Sequence, residues 1–235
     1  MKYIVALVLG LVAGAAIFAV GAVYNPFTVD RGLSPLSLTD AEVIALSFST
    51  VPAENIIYTN NGESLQSPHP EKVLELWEVP IRKTSAMATV MRDARNQPAG
   101  IGIKISSKSE STRLLNGEAI LDSVWYIYAP QHGSMFVRQT ENYWPFIREV
   151  AFPAWKSSAN NWRGTWLGDM TSGPGALGTA SVSGGSGRVK GLEMVGIESM
   201  SVRAFSADTG FVSAEGRLLI ELTELPDETE EESAL

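Results

Sequence analysis

Five carboxylates fall in or beside segments that read as β-strands: Asp122, Glu141, Asp169, Glu193 and Glu198. A carboxyl group turned into a closed sheet loses its water, so its pKa rises and it can give and take a proton near neutral pH. On the solvated outer face the same residues only keep the surface wet, and that is the expectation for any one of them. Glu198 stands apart. In "GIESMSVR" the alternation slips over 196–199, the pattern of a bulge, and a bulge re-aims a side chain. Other candidates are few. His69 lies between prolines in "SPHPEK" and His132 in the turn "PQHGS", both expected in exposed loops. There is no cysteine, which excludes thiol catalysis, disulfides and thiolate metal sites. Spaced histidine pairs, an EF-hand run and the nucleophile elbow G-x-S-x-G are also missing. No metal, no cofactor and no assigned catalytic residue is expected.

The most unusual composition is "ENYWPFIREVAFPAWKSSANNWRGTW", where Tyr143, Trp144, Phe146, Phe152, Trp155, Trp162 and Trp166 crowd around Arg148, Lys156 and Arg163. Pro145 suits the first position of a short helix. Two readings stand side by side. The aromatics close one end of a β-structure as a plug, or they form a surface for an apolar ligand or a partner, where aromatic and Arg side chains concentrate binding energy.

The elements that would carry these residues are strands. "AGIGIKIS" alternates Ile101, Ile103 and Ile105 with Gly102, Lys104 and Ser106. "SVWYIYA", the turn "PQHGS" and "MFVRQTE" make a hairpin. In "FVSAEGRLLIEL", Val212, Ala214, Gly216, Leu218, Ile220 and Leu222 share one face. Strand candidates cover 73–92, 99–107, 118–129, 134–141, 162–171, 176–183, 191–206 and 211–224. The gaps are mostly too short for helical crossovers. The expected fold is mainly β, an antiparallel eight-stranded barrel with a β-sandwich as the alternative.

The glycine-rich "SVSGGSGRVKG" meets neither phosphate-binding pattern. Lys190 is followed by Gly191 rather than Ser or Thr, and Lys190 also occupies the place of the last glycine of G-x-G-x-x-G. A strand-like run follows instead of a helix, so the glycines read as turn residues between antiparallel strands. In that setting "VSGGSGRVKGLEM" resembles the GGTGxFxGxxG hairpin of allene-oxide-cyclase-like and dirigent-like proteins, with Val189 at the Phe position. The resemblance spans about 161–222. It implies an eight-stranded antiparallel barrel and no particular activity, because such barrels include cyclases, proteins that orient radical coupling and others.

Ahead of the strands, residues 3–24 hold no charge and are long enough as a helix, at about 1.5 Å per residue, to cross a hydrocarbon core of roughly 30 Å. The stretch reads as a transmembrane anchor or uncleaved signal over 1–29, in preference to a cleaved signal peptide. Lys2, the only charge before it, puts the N-terminus inside and the remainder in the periplasm, anchored by a single pass in the inner membrane. Gly10, Gly14 and Gly21 present small residues for packing against a partner helix. Residues 30–72 read as a helix and loop linker. The Thr39-x-x-Glu42 capping box begins the helix, 73–225 form the barrel, and 226–235 form a disordered acidic tail. The tail carries five acidic residues of a chain with net charge -8, so the folded part is only mildly acidic and a nucleic-acid partner is excluded.

These features give three functional expectations. The first is a membrane-anchored extracytoplasmic module that binds an apolar small molecule or serves as an accessory subunit beside a membrane-protein partner, more a binding protein than an enzyme. The second is a cyclase or isomerase acting on a hydrophobic substrate inside the barrel. The third is a cell-envelope assembly factor.

Overall fold

The computed structural model describes residues 2–23, 42–60, 63–66 and 84–222. Helix α1, Lys2–Val23, is long and apolar enough to cross a membrane, and none of its apolar stretch is buried in protein. The rest is β-sheet: β1 Val43–Ser49, β2 Ile57–Asn60, β3 Glu63–Gln66, β4 Thr84–Arg92, β5 Pro98–Lys108, β6 Ile120–Ala129 and β7 Gly133–Asn142. After a helical segment, α2 (144–156), come β8 Asn161–Asp169, β9 Thr171–Gly173, β10 Ala180–Gly184, β11 Glu193–Ser206 and β12 Gly210–Glu221.

Eight strands close into an antiparallel ring in the order β1, β12, β11, β10, β7, β6, β5, β4, with the Ser47–Arg92 pair returning β4 to β1. The barrel expected from the sequence is therefore present, though β10 is short. Where β10 ends, the space between β7 and β11 is taken by β9, paired with β7, and by β8, paired with β11. The strand read over 162–171 thus extends the wall beside β10 instead of forming a ring strand of its own.

The helix expected after Thr39 is not what the structure holds. Residues 43–49 are β1, and Ile44, Leu46 and Phe48, two residues apart, all point inward and are buried. That period of two, met by seven paired positions on β12, outweighs a local capping signal. Thr39 itself lies outside the described residues. The barrel consequently recruits a strand from the segment read as linker. The loop read after it contains the β2–β3 hairpin, which pairs with β4 through Ile57–Ala88 and its neighbours. The Asn61-Gly62 dipeptide was the available signal. Residues 73–83 of the first strand candidate, and the acidic tail, fall outside the described residues.

One end of the barrel is packed solid. Phe48 and Trp125 meet edge to face at 4.7 Å, surrounded by Met91, Ile127, Met135, Val137, Leu218 and Ile220, all at most 1% exposed. Two inward glycines make room for the rings. A Cβ on Gly102 would lie 2.2 Å from Met91 and 2.9 Å from Trp125, and one on Gly216 would lie 2.2 Å from Phe48. The glycine-rich stretch is the β10–β11 turn, as expected. Gly187 and Gly191 have φ of 68° and 77°, and Gly187 passes so near the β6–β7 turn that a Cβ would fall 2.7 Å from Gly133.

Candidate functional site

Strand alternation places one polar layer above that core. On β7, Val137, Gln139 and Glu141 face inward; on β6, Ser123 and Trp125; on β5, Gly102, Lys104 and Ser106; on β11, Gly196, Glu198 and Met200. Lys104, 7% exposed, donates to Glu198 Oε1 at 2.6 Å and makes a second ion pair with Glu141 Oε1. Gln139 Nε2 bridges the carboxylates, donating to Glu141 Oε1 at 2.5 Å and to Glu198 Oε2. Trp125 Nε1 donates to Glu198 Oε2 at 2.9 Å, and its ring lies 5.3 Å from the Lys104 ammonium. Ser123 Oγ donates to Glu141 Oε1 at 2.9 Å. From β9's side of the wall, Thr171 Oγ1 donates to Gln139 Oε1 and accepts from the Glu198 amide at 2.7 Å.

The two carboxylates are not equivalent. Both oxygens of Glu198 are satisfied, Oε1 by Lys104 and Oε2 by Trp125 and Gln139, whereas every donor to Glu141 converges on Oε1. Glu141 Oε2 is buried with no partner among the described residues. Burial pushes the Glu141 carboxyl up, Lys104 opposes that, Glu198 reinforces it, and the result is about 7. Burial also works against the charge of Glu198, but the Lys104 pairing and hydrogen bonds from Lys104, Trp125 and Gln139 hold it below its ordinary value. Lys104 loses solvation as well, yet the two carboxylates keep it well above the usual range. At neutral pH the layer therefore holds a fixed Lys104–Glu198 ion pair and one carboxyl poised to exchange its proton. With Oε1 accepting three donors, that proton belongs on Oε2.

The structure thus takes two of the five sequence-flagged carboxylates into the interior, against the expectation of a solvated face. Asp122, Asp169 and Glu193 stay exposed, with Asp169 raised by its partial burial. Glu198 arrives there by regular alternation. Its pairing with Leu218 is unbroken, and the register shifts of β11 come later, between Val202 and Phe205. The bulge read at 196–199 is absent, since Gly196, Ile197, Glu198 and Ser199 pair in unbroken register with Ile220, Leu219, Leu218 and Arg217. Lys104, Gln139, Ser123, Trp125 and Thr171 were not flagged. Lys104 could have been, as the one charge in the alternating run "AGIGIKIS". His132 is half-buried at the opposite end of the barrel, its pKa lowered by burial and by Arg188. His69 lies outside the described residues.

The aromatic segment closes the end beyond the polar layer. Segment α2 comprises an α-helical turn, Trp144–Phe146 with Pro145 near its start, a π-helical stretch, Ile147–Ala151, and a second α-helical stretch, Phe152–Lys156. Phe146 packs on Trp166, Phe205 and Phe211 at 5.2–5.6 Å, over Val150, Met170, Met200 and Val202. Trp144, Phe146 and Trp166 are buried, Tyr143, Phe152 and Trp162 half-buried, and Trp155 exposed at 67%. Trp166 Nε1 fastens the segment by donating to Glu149 at 2.9 Å. Tyr143 is near enough to Lys104 to act on its charge, so the aromatic end and the polar layer adjoin. Gly10, Gly14 and Gly21 all meet open space on α1. A separate surface groove of about 320 Å³, lined by Glu54, Arg92, Arg203 and Glu215 among others, lies away from this layer.

No family model and no curated protein matches the chain. Two solved structures align with most of it. One is described as a nonspecific heme-binding cyclase that catalyses a 4 + 2 cycloaddition during neoabyssomicin biosynthesis (10% identity, TM-score 0.36, 83% of this chain and 72% of that one). The other is the Diels-Alderase AbmU from Streptomyces koyangensis (9% identity, TM-score 0.37, 84% of this chain and 79% of that one). Likeness of that degree decides nothing about chemistry, which rests on the interior itself.

Proposed function

We propose that the barrel is an isomerase or cyclase acting on a hydrophobic substrate, with Glu141 giving or taking the proton. The observation that carries this is the buried, unpartnered Oε2 of Glu141. A fully buried carboxyl with an idle oxygen costs about 1–3 kcal/mol, and an apolar layer of the same volume would make a more stable barrel. Fold stability gives no reason to keep it. Proton transfer does, since a pKa of about 7 suits acid and base roles at neutral pH.

The other residues take supporting roles. Lys104 holds Glu141 Oε1 and leaves Oε2 free to carry the exchangeable proton, and its fixed positive charge stabilises negative charge developing next to it. Glu198, held ionised, keeps Lys104 charged and neutralises it. Gln139, locked by Thr171, sets the spacing of the two carboxylates. The cluster around Phe146 packs beneath α2 and excludes water from the layer. Of the sequence readings, this favours the cyclase or isomerase over a non-catalytic binding module. The anchor reading adds location: α1, which starts at Lys2, fits a single-pass, N-in protein of the inner membrane whose barrel lies in the periplasm.

Proton transfer in D2O leaves deuterium on the product. The test incubates a lipid extract of the native membrane in D2O with wild-type protein or Glu141→Gln and follows it by mass spectrometry. A small apolar molecule labelled or rearranged by the wild type alone supports the reading. Identical extracts from both proteins refute it.

A further inference from the structure

Strand β5 is inside out by the usual rule of burial. Its polar face, Gly102, Lys104 and Ser106, points into the barrel, and its isoleucines point away: Ile101, Ile103 and Ile105 are 50%, 41% and 51% exposed. The neighbouring strands continue the pattern in register. Ile101 pairs with Tyr128, Ile103 with Tyr126 and Ile105 with Val124, and the Tyr126 ring packs at a tilt on Phe136 of β7, their centroids 5.0 Å apart. Beyond β4, Ile57 extends the middle row through Ala88. Ile57, Val124, Tyr126, Tyr128 and Phe136 are each 40–49% exposed.

With aromatic side chains presenting about 150–250 Å² and the four isoleucines and one valine somewhat less, the eight large residues, each 40–51% exposed, leave on the order of 700 Å² uncovered. Monomers rarely leave more than roughly 300–600 Å² of contiguous apolar surface in water, and a stable protein interface needs about 800 Å² from each partner. The face therefore has the area of one half of an interface. The charges at its edge favour a copy of itself as the occupant: Arg138 is paired directly with Val124, and Asp122 lies two residues before Val124 on β6. Both are exposed and of opposite sign, so a two-fold operation offers the Arg138 of each copy to the Asp122 of the other.

We infer that the outer face of β4–β5–β6–β7 is a homodimer interface, with a second copy of this chain as its occupant. The test uses the full chain in mild detergent, sized by light scattering with the detergent mass subtracted. Wild type has the mass of two copies. Ile103→Glu combined with Tyr126→Glu halves that mass while circular dichroism stays unchanged, because both positions face outward. Gly10→Leu with Gly14→Leu leaves the pair intact, which separates the barrel face from helix α1. The chain's lack of cysteine permits a second readout. Single cysteines at Ile103, Val124, Tyr126 and Phe136 give at least one oxidised self-linked dimer, while Arg217→Cys on the outer face of β12 gives none. A wild-type monomer, a pair that survives the double glutamate variant but not the glycine variants, or a different protein held on this face each overturns the inference.

Discussion

Glu141→Gln makes the strongest test of the interior, because it keeps the shape of the side chain and deletes its titration. The folded-state value of Glu141, about 7, lies above its ordinary value of 4.5. A carboxyl raised in this way favours folding through its bound proton. The contribution is complete below about pH 4.5 and is lost as pH rises through about 7. The gap corresponds to about 3 kcal/mol lost between pH 4.5 and pH 8, at ~1.4 kcal/mol per pH unit. For a barrel of this size that is roughly 6–12 °C in Tm. Glutamine accepts the same donors at Oε1 and has no proton to lose. Urea unfolding of the full chain, followed by tryptophan fluorescence from pH 4.5 to 8, should show Glu141→Gln gaining on the wild type by about 3 kcal/mol across that window. Three other groups titrate in both proteins; Asp169 and His132, whose shifts do not involve Glu141, largely cancel in the difference, and Glu198 cancels only in part because its charge acts on Glu141. Glu198, lowered, loses stability as pH falls below its unfolded value; Asp169, raised, acts in the same direction as Glu141; His132, lowered, acts against it. Parallel pH profiles for the two proteins would refute the assignment of the exchangeable proton to Glu141.

Two further predictions probe what holds the layer in place. Lys104→Met removes the only cation touching Glu141 and Glu198 among the described residues, and stranding buried carboxylates should cost about 3–5 kcal/mol at pH 8. Adding Glu198→Gln to the same chain should recover part of that loss in urea midpoint, and no recovery would mean the lysine acts through packing. Gly102→Ala drives a methyl into Met91 and Trp125 and should cost about 1–3 kcal/mol, with a shifted Trp125 emission as the local readout.

The strands were legible because alternation is a local property. Residues 99–107, 134–141 and 211–224 differ from β5, β7 and β12 by only a few residues. Strand β1 was misread because its seven residues follow a helix-start signal, and only the long-range pairing with β12 decides between the two structures. The carboxylate site was half legible. Glu141 and Glu198 stood out by residue type, but Glu198 for a bulge that is not there. What alternation cannot say is which of its two faces points inward. In β5 both choices are internally consistent, and the rule that apolar residues go inside selects the wrong one.

Packing elsewhere makes that choice. Trp125 occupies the barrel axis, and a side chain opposite it on β5 would overlap its ring, so the glycine-bearing face must turn inward. Lys104, two residues from Gly102, is carried in with it. A lone ammonium there would be prohibitive, and the carboxylates of β7 and β11 make it tolerable. The same rotation that brings Lys104 to Glu198 throws Ile101, Ile103 and Ile105 outward. The charged interior and the apolar exterior are thus two results of one decision about the facing of β5. If the outer face is covered by a second copy, the apolar area exposed by that choice is buried again in the dimer, and assembly would help offset the destabilising charged layer. Dimer dissociation and Glu141→Gln should then shift stability in opposite directions, the first lowering it and the second raising it above pH 7.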